Sequence, residues 1–271
     1  MRRAPFVIIF VSVALAACGS STKPAATHAT SSVPSTAAST TTKPTGTSGL
    51  SGKTPAQVLA MASTAALAKG SAHLVEDIRF GSSTFHLVAD VGTTQGKQAL
   101  TSSCGIKSCT SVFLVQSAQT GYLQGNAVFY EQNFTMSPTD ATKYAGKWIA
   151  VPSSTSFYKN AATGLTMSSL ITIDTPSAPL RFTQPTIVDG QHVVGVSGAL
   201  GPDPERGVGG TQVLYISTVA PYLPVACVIQ STGRSNGKPL DTTDHMSDYG
   251  EPVTVTAPAN SIPFSSVPGL S

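Results

Sequence analysis

The four cysteines are the residues of this chain best suited to covalent chemistry, and the first lies in a distinctive context. Cys18 follows Leu15–Ala17 at the end of an apolar run over residues 6–17, and two arginines precede that run. This pattern is typical of a bacterial lipoprotein signal peptide, since the run is too short for a comfortable membrane span. We expect residues 1–17 to be removed and the Cys18 thiol to carry acyl chains that hold the protein at the extracytoplasmic face of the membrane. An ordinary signal peptide with an incidental cysteine is the alternative.

The other three cysteines fall in segments with strand character. Cys104 and Cys109 lie five residues apart between two strand-like runs, which in an oxidising envelope predicts a disulfide at a hairpin tip. A redox or metal-binding pair is disfavoured, because there is no Cys-x-x-Cys motif and no neighbouring histidine. Cys227 belongs to an apolar strand face at 223–229, which predicts a buried, inert thiol. A bridge between Cys104 and Cys227 stays open at this point.

The residues suited to acid–base or metal chemistry form no catalytic pattern. The five histidines are far apart, and the sequence lacks HExxH, G-x-S-x-G and P-loop motifs. His73 and Asp77 share a strand face, where a surface polar pair is expected. Asp241, Asp244 and Asp248 resemble a set of calcium ligands only superficially, since strand alternation turns the first away from the other two. We expect no enzymatic activity, metal or cofactor.

Composition divides the rest of the chain in two. Residues 18–53 comprise the lipidated cysteine and a segment rich in Ser, Thr, Ala and Pro that cannot bury enough apolar surface to fold, which predicts a disordered linker. Residues 54–271 suffice for one domain with a substantial core. Charged residues make up only 11% and the net charge is +3, without clusters of Lys and Arg, so nucleic acid is not an expected partner.

The domain is predicted to begin with a helix and to continue mainly as strands. Thr54-Pro55 is an N-terminal helix signal and Gly70 a stop signal. Alternation and turn residues predict strands at 72–80, 84–91, 98–102, 111–116, 121–124, 147–151, 186–188, 191–197, 212–217, 221–232, 242–249 and 253–256, with a loop at 201–210 and helices at 127–135, 137–144 and, in pieces, 157–171.

The order of these elements predicts an α+β fold. Connections of hairpin length, including the Asp189-Gly190 turn, favour an antiparallel sheet. The apolar face of such a sheet needs a cover, and the helices at 55–69 and 127–171 are the available ones. We therefore expect a twisted half-barrel sheet wrapped over a few helices, an arrangement that can leave an apolar cavity between the two layers.

Several segments, taken in order, resemble one family. After the signal segment and linker come AHLVEDIRF, GYLQGN, TKYAGKWIAV, VDGQHVVGVSG and YGEPVTVTAP, which together span most of residues 54–258. They are similar to the actinobacterial LppX/LprA/LprF/LprG lipoproteins, relatives in fold of the LolA/LolB carriers. The segment AVFYEQNFTM looks like the helical insert that gates the cavity in that family, whereas the pair Cys104 and Cys109 departs from the family's features.

The resemblance implies a function in lipid binding. Members of that family hold acylated lipids or lipoglycans in a cavity between the half-barrel and the helices, and some move them across the envelope. The alternative is an envelope interaction or sensor module of the same fold, with a filled core and a protein partner. The residues predicted to lie along a cavity, which would equally form a solid core, are Phe85, Leu87, Phe113, Val115, Leu223, Val225 and Ile229 from the sheet and Phe129, Phe134 and Leu170 from the helices.

Overall fold

The first helix forms where its end signals place it. In the computed structural model α1 spans Pro55–Lys69, and the Thr54 hydroxyl accepts a hydrogen bond from the N–H of Gln57 at 3.3 Å. The Gln57 side chain accepts one in return from the N–H of Thr54 at 2.8 Å, which completes a capping box. Gly70 ends the helix with φ of +75°, a conformation that costs glycine little.

The structure describes residues 49–200, 209–231 and 239–270. The predicted signal peptide, Cys18, most of the linker and most of the predicted 201–210 loop lie outside these residues. Four short helices follow α1: Ala127–Asn133 (α2), Pro138–Tyr144 (α3), Ser156–Ala161 (α4) and Met167–Asp174 (α5). No helix within the described residues is both long enough and apolar enough to cross a membrane.

Strands make up most of the rest. In chain order they are Ala72–Phe80 (β1), Ser83–Val91 (β2), Gly96–Cys104 (β3), Lys107–Val115 (β4), Thr120–Gly125 (β5), Ile149–Pro152 (β6), Ser177–Phe182 (β7), Thr186–Val188 (β8), Gln191–Ala199 (β9), Gly210–Ser217 (β10), Pro224–Ser231 (β11), Leu240–Ser247 (β12) and Ile262–Pro263 (β13). A 3-10 turn, Phe264–Ser266, follows the last strand.

These strands form one curled, unclosed sheet. Its order is β13-β6-β5-β4-β3-β2-β1-β12-β11-β10-β9-β7, and β8 also pairs with β9. The pairs are antiparallel except β13 with β6. The predicted turn at Asp189-Gly190 joins β8 to β9 with positive φ at both residues. The predicted α+β half-barrel is therefore confirmed.

The concave face of this sheet carries two apolar clusters. The main cluster joins the five helices to inward residues of the strands and includes Val58, Phe113, Phe129, Leu170 and Ile229. The second cluster consists of Phe80, Phe85, Leu100 and Leu240 on the neighbouring strands β1, β2, β3 and β12. Both clusters lie on the same face of the sheet. Phe85 of the second cluster and Ala89 and Val91 of the main cluster occupy alternate positions of β2, so their side chains point to the same side.

Four segments differ from the sequence-based prediction. Residues 253–256 were expected to form a strand, but the N–H of Val255 donates instead to the side-chain oxygen of Gln95 at 3.1 Å, so no ladder forms. Strand β11 begins at Pro224 rather than 221, because Tyr222 adopts φ of +63° in a tight turn. The edge strand β7 has no alternating pattern and contains a proline, and β13 has only two residues.

The predicted disulfide between Cys104 and Cys109 is present and closes the tip of the β3–β4 hairpin. Cys227 is buried and takes no part in this disulfide, so the alternative bridge from Cys104 to Cys227 does not occur.

Replacing Cys104 and Cys109 together by serine is expected to lower the free energy of unfolding by about 2 kcal/mol. The disulfide restricts the conformations of the unfolded chain, and its loss raises the entropy of the unfolded state. Urea denaturation of both proteins measures the difference. Adding a reductant should then destabilise the natural protein but not the double variant; equal stability of the two proteins under oxidising conditions would contradict the prediction.

Candidate functional site

Nine of the ten residues predicted to lie along a cavity belong to the two clusters or pack against them. The exception is Val225. Phe113, Val115, Phe129, Leu170 and Ile229 are buried in the main cluster, Phe85 is buried in the second, and Leu87, Phe134 and Leu223 pack half-buried against one or both.

Val225 departs from the alternation predicted for its strand. Pro224 lies opposite the inward residue Ile216, whereas Ala226 lies opposite Tyr215, so Val225 is an extra residue in a β-bulge. It is buried but belongs to neither cluster. A bulge moves the following side chains to the other face, and its position is not encoded in an apolar pattern.

Aromatic rings occupy the concave face beside β4. Phe113 on that strand meets Phe157 and Tyr158 of α4 at centroid distances of 5.6 and 6.0 Å. Phe134, which follows α2, meets Phe129 at 5.8 Å and Phe157 at 5.5 Å. Phe157 and Tyr158 were not singled out from the sequence, although Thr155 before them is an N-cap signal for a helix.

Two apolar side chains that β1 and β2 contribute to the concave face remain partly accessible. Ile78 of β1 and Leu87 of β2 are half-buried and pack against the second cluster, and Leu87 also packs against the main cluster. The half-buried Glu76 lies on the same face, directly opposite Leu87 in the ladder and two residues before Ile78 on β1. Leu87 therefore joins the two clusters on this face, and neither Leu87 nor Ile78 is completely covered. Ile78 could have been found from its alternation with Leu74 and Phe80.

A cleft of about 490 Å³ lies at the ends of the β1–β2 and β3–β4 hairpins. Phe85 lies along it, together with His86 and Ile106. A second cleft of about 270 Å³, bordered by Lys69, Gly92 and other residues, is mainly polar. Both are lined by described residues and lie apart from the aromatic group at α2 and α4.

A buried polar group lies beside the main cluster. One potential metal-ligand atom from each of Asp174, Cys227 and Asp244 lies within 4.8 Å of the other two. Together these three atoms could hold a cation. The amide of Gln212 donates to the carbonyl of Ile173 at 2.9 Å and approaches the sulfur of Cys227 at 3.5 Å. Sequence patterns gave no signal for Asp174, the last residue of α5.

Tyr249 borders this polar group. Burial raises the pKa of Tyr249, and the charge of Asp174 raises it further. The Tyr249 hydroxyl donates to the carbonyl of Pro224 at 3.0 Å. The three aspartates considered as calcium ligands are not brought together, since Asp241 and Asp248 are exposed while Asp244 is buried.

Histidine–aspartate pairs lie on the convex face. His73 and Asp77 do not pair with each other, because each faces a partner on β2 in the ladder. The Nδ1 of His73 lies 2.6 Å from Asp90, and the Nδ1 of His86 lies 2.8 Å from Asp77. Lys97 forms a further ion pair with Asp90 at 2.7 Å. Both pairs are partly exposed surface pairs, so the prediction of a surface position was right, whereas the expected pairing of His73 with Asp77 was wrong.

No protein-family model and no curated protein sequence matches the chain. Among solved structures, it is similar to LprF from Mycobacterium bovis, with 19% identity over 76% of this chain and 97% of that one, and a TM-score of 0.44. It is also similar to the lipoprotein LppX from Mycobacterium tuberculosis, with 13% identity over 75% of this chain and 100% of that one, and a TM-score of 0.45.

A third similar structure is a putative outer membrane lipoprotein-sorting protein domain from Vibrio parahaemolyticus. Its identity to the chain is 9%, over 72% of this chain and 92% of that one, with a TM-score of 0.29. LprF and LppX are two of the names in the family that the sequence resembles.

Asp90 supplies a pH-dependent contribution to stability. Burial raises the pKa of Asp90, but the hydrogen bonds and charges of Lys97 and His73 more than offset this, so the pKa lies below its ordinary value. A carboxyl with a lowered pKa stabilises the fold above its unfolded pKa, and this stabilisation is lost as the pH falls through the folded value.

Asp90→Asn is therefore expected to reduce the free energy of unfolding at pH 7, and the difference from the natural protein should vanish as the pH falls from about 5 to about 2. Denaturant titrations at several pH values measure it. Asp77→Asn, at a side chain that is 66% exposed, is the matched control with the smaller effect. A difference at Asp90 that stays constant with pH would contradict the assignment.

Proposed function

We propose that the chain is a membrane-anchored lipoprotein that binds the acyl chains of a lipid or lipoglycan against the concave face of its sheet, at the extracytoplasmic side of the membrane. The observation that carries the proposal is the partly uncovered apolar surface at Ile78 and Leu87, which connects the two clusters. The resemblance to a family that binds acylated lipids and the lipoprotein-type signal sequence support it.

Binding would be driven by burial of hydrocarbon. Apolar area removed from water contributes about 25 cal/mol per Å². Leu87 and Ile78 present such area on the concave face, and the half-buried Phe134 presents more in the aromatic group that it forms with Phe113 and Phe157 at β4. An alkyl chain needs no hydrogen-bond partner, so it would lie along the apolar side chains, whereas the polar headgroup would stay at the edge of the sheet. Transport or assembly of envelope lipids is the process in which such a carrier would act.

One observation favours a second candidate, an envelope interaction module without lipid cargo. The rings of Phe113, Phe129, Phe134 and Phe157 pack edge-to-face and tilted at 5.5–5.8 Å, which is the geometry of a filled core. If this packing extended over the whole concave face, the chain would act through its outer surface on a protein partner.

The lipid hypothesis is tested by native mass spectrometry. The chain from residue 19 onward, secreted behind an ordinary signal peptide from an actinobacterial host and purified without detergent, is expected to carry an extractable acylated lipid. Leu87→Gln should lower the bound fraction about tenfold, since burial of a leucine contributes about 1.5–3 kcal/mol. Val88→Gln, at the adjacent half-buried residue on the opposite face, is the matched control. A bare protein that takes up no offered lipid would overturn the proposal and favour the interaction module.

The anchor has a separate test. Cys18→Ser is expected to remove the acyl chains and to shift the protein from the membrane to the soluble fraction, because the thiol is the attachment point. Partitioning into a detergent phase measures the shift, and Cys227→Ser controls for loss of an unrelated thiol. If the Cys18 variant stayed in the membrane fraction, the anchor would lie elsewhere.

A further inference from the structure

Two exposed aliphatic side chains lie at one end of the sheet. Val219, in the turn between β10 and β11, is 68% exposed, and Ile187 of β8 is 60% exposed. β9 begins at the end where β10 finishes, because the two strands are antiparallel. The β8–β9 and β10–β11 turns are therefore neighbours, and we call them together the aliphatic end.

The backbone segments that carry Ile187 and Val219 lie on either side of His192, the second residue of β9. Ile187 is the ladder partner of His192 in β9. On the other side of β9, the N–H of Thr218 donates to the carbonyl of His192 at 2.9 Å, and Val219 follows Thr218 directly. The two side chains are therefore carried by backbone segments that lie one strand apart on either side of β9, about 10 Å from each other.

Hydrogen bonds hold both turns in place. The N–H of Tyr222 donates to the carbonyl of Val219 at 2.9 Å, and the N–H of Val219 donates to the hydroxyl of Ser217 at 3.2 Å. In the other turn, the carboxylate of Asp189 lies 2.7 Å from the Nδ1 of His245. Val219 and Ile187 are thus presented outward by ordered backbone rather than by a free loop tip.

The described chain enters the domain at this same end. Gly49 lies against the ring of Tyr222, because a Cβ at that glycine would come within 3.1 Å of the ring carbon Cζ. Leu50 is buried in the main cluster, and Tyr222 packs against that cluster. The entry point of the chain is therefore fixed beside the β10–β11 turn.

Few residues connect the predicted anchor to this entry point. Thirty residues, 19–48, separate Cys18 from Gly49. A coil of that length has a root-mean-square span of about 30 Å. A nine-residue strand such as β1 is also about 30 Å long. On average, the aliphatic end is therefore the part of the domain nearest to the membrane, and a tether of this kind raises the effective concentration of a weak contact to the millimolar range.

We propose that the aliphatic end docks on the lipid surface, with Val219 and Ile187 inserted among the headgroups. This rests on the lipid anchor of the proposed function. Neither 186–192 nor 217–223 contains a lysine or arginine. The contact is therefore apolar, and it requires no anionic lipid. Docking in this way orients the opposite end of the sheet, with the β3–β4 hairpin tip, away from the membrane.

The test uses the full lipidated chain in phosphatidylcholine vesicles that contain a quencher attached to the lipid acyl chains. Val219→Cys and Ile187→Cys each receive an environment-sensitive fluorophore. Within the described residues, the natural cysteines are a disulfide and one buried thiol, which limits labelling elsewhere. Ile106→Cys, at a fully exposed side chain on the opposite hairpin tip, is the control.

Labels at 219 and 187 are expected to lose about half of their fluorescence, since interfacial side chains insert about 5–10 Å, whereas the label at 106 stays unquenched. Quenching should not change when salt rises from about 0.05 to 0.5 M. Equal quenching at 106, or none at 219 and 187, would overturn the docking proposal. Detergent partitioning and native mass spectrometry of the same samples report separately on the Cys18 anchor and on bound lipid, so failure of docking is distinguishable from failure of the proposed function.

Discussion

The constraint on which the structure depends is the need to cover the concave face of one large sheet. Thirteen strands within the described residues satisfy one another's backbone groups, but their alternation leaves an apolar inner surface that water must not reach. Five helices, four of them with eight residues or fewer, supply the cover. They pack closely beside β4 and leave Ile78 and Leu87 partly accessible further along the sheet. In the proposed function, the acyl chains of a lipid bind where the helices leave this face uncovered.

Local signals predicted much of the fold. The caps of α1, the Asp189-Gly190 turn and the alternation of β2 each depend on a few adjacent residues, and the structure agrees with all three. The failures depend on distant partners. Val253–Thr256 alternates like a strand, but the side chain of Gln95 takes the N–H that a neighbouring strand would have bonded. The bulge at Val225 likewise follows from pairing with β10.

The candidate site was less predictable than the fold. Alternation identifies which side chains point inward, and residues such as Phe113 and Ile229 do lie in the main cluster. It does not say how closely a helix will approach them, so a filled core and a binding surface have the same pattern. The half-burial of Leu87 beside the buried Ala89 is a property of three-dimensional packing. The position of Asp174 next to Cys227 and Asp244 also arises only when α5 meets the sheet.

The most direct measurement of the central claim is photo-crosslinking with a lipid that carries a diazirine in its acyl chain, followed by peptide mapping of the labelled residues. Binding against the concave face predicts adducts on inward residues such as Ile78 and Leu87 and on Phe134, competed by unlabelled lipid. Adducts confined to the convex face, for example around His86 and Thr101, or labelling that unlabelled lipid does not compete, would contradict the claim that this face of the sheet holds a lipid chain.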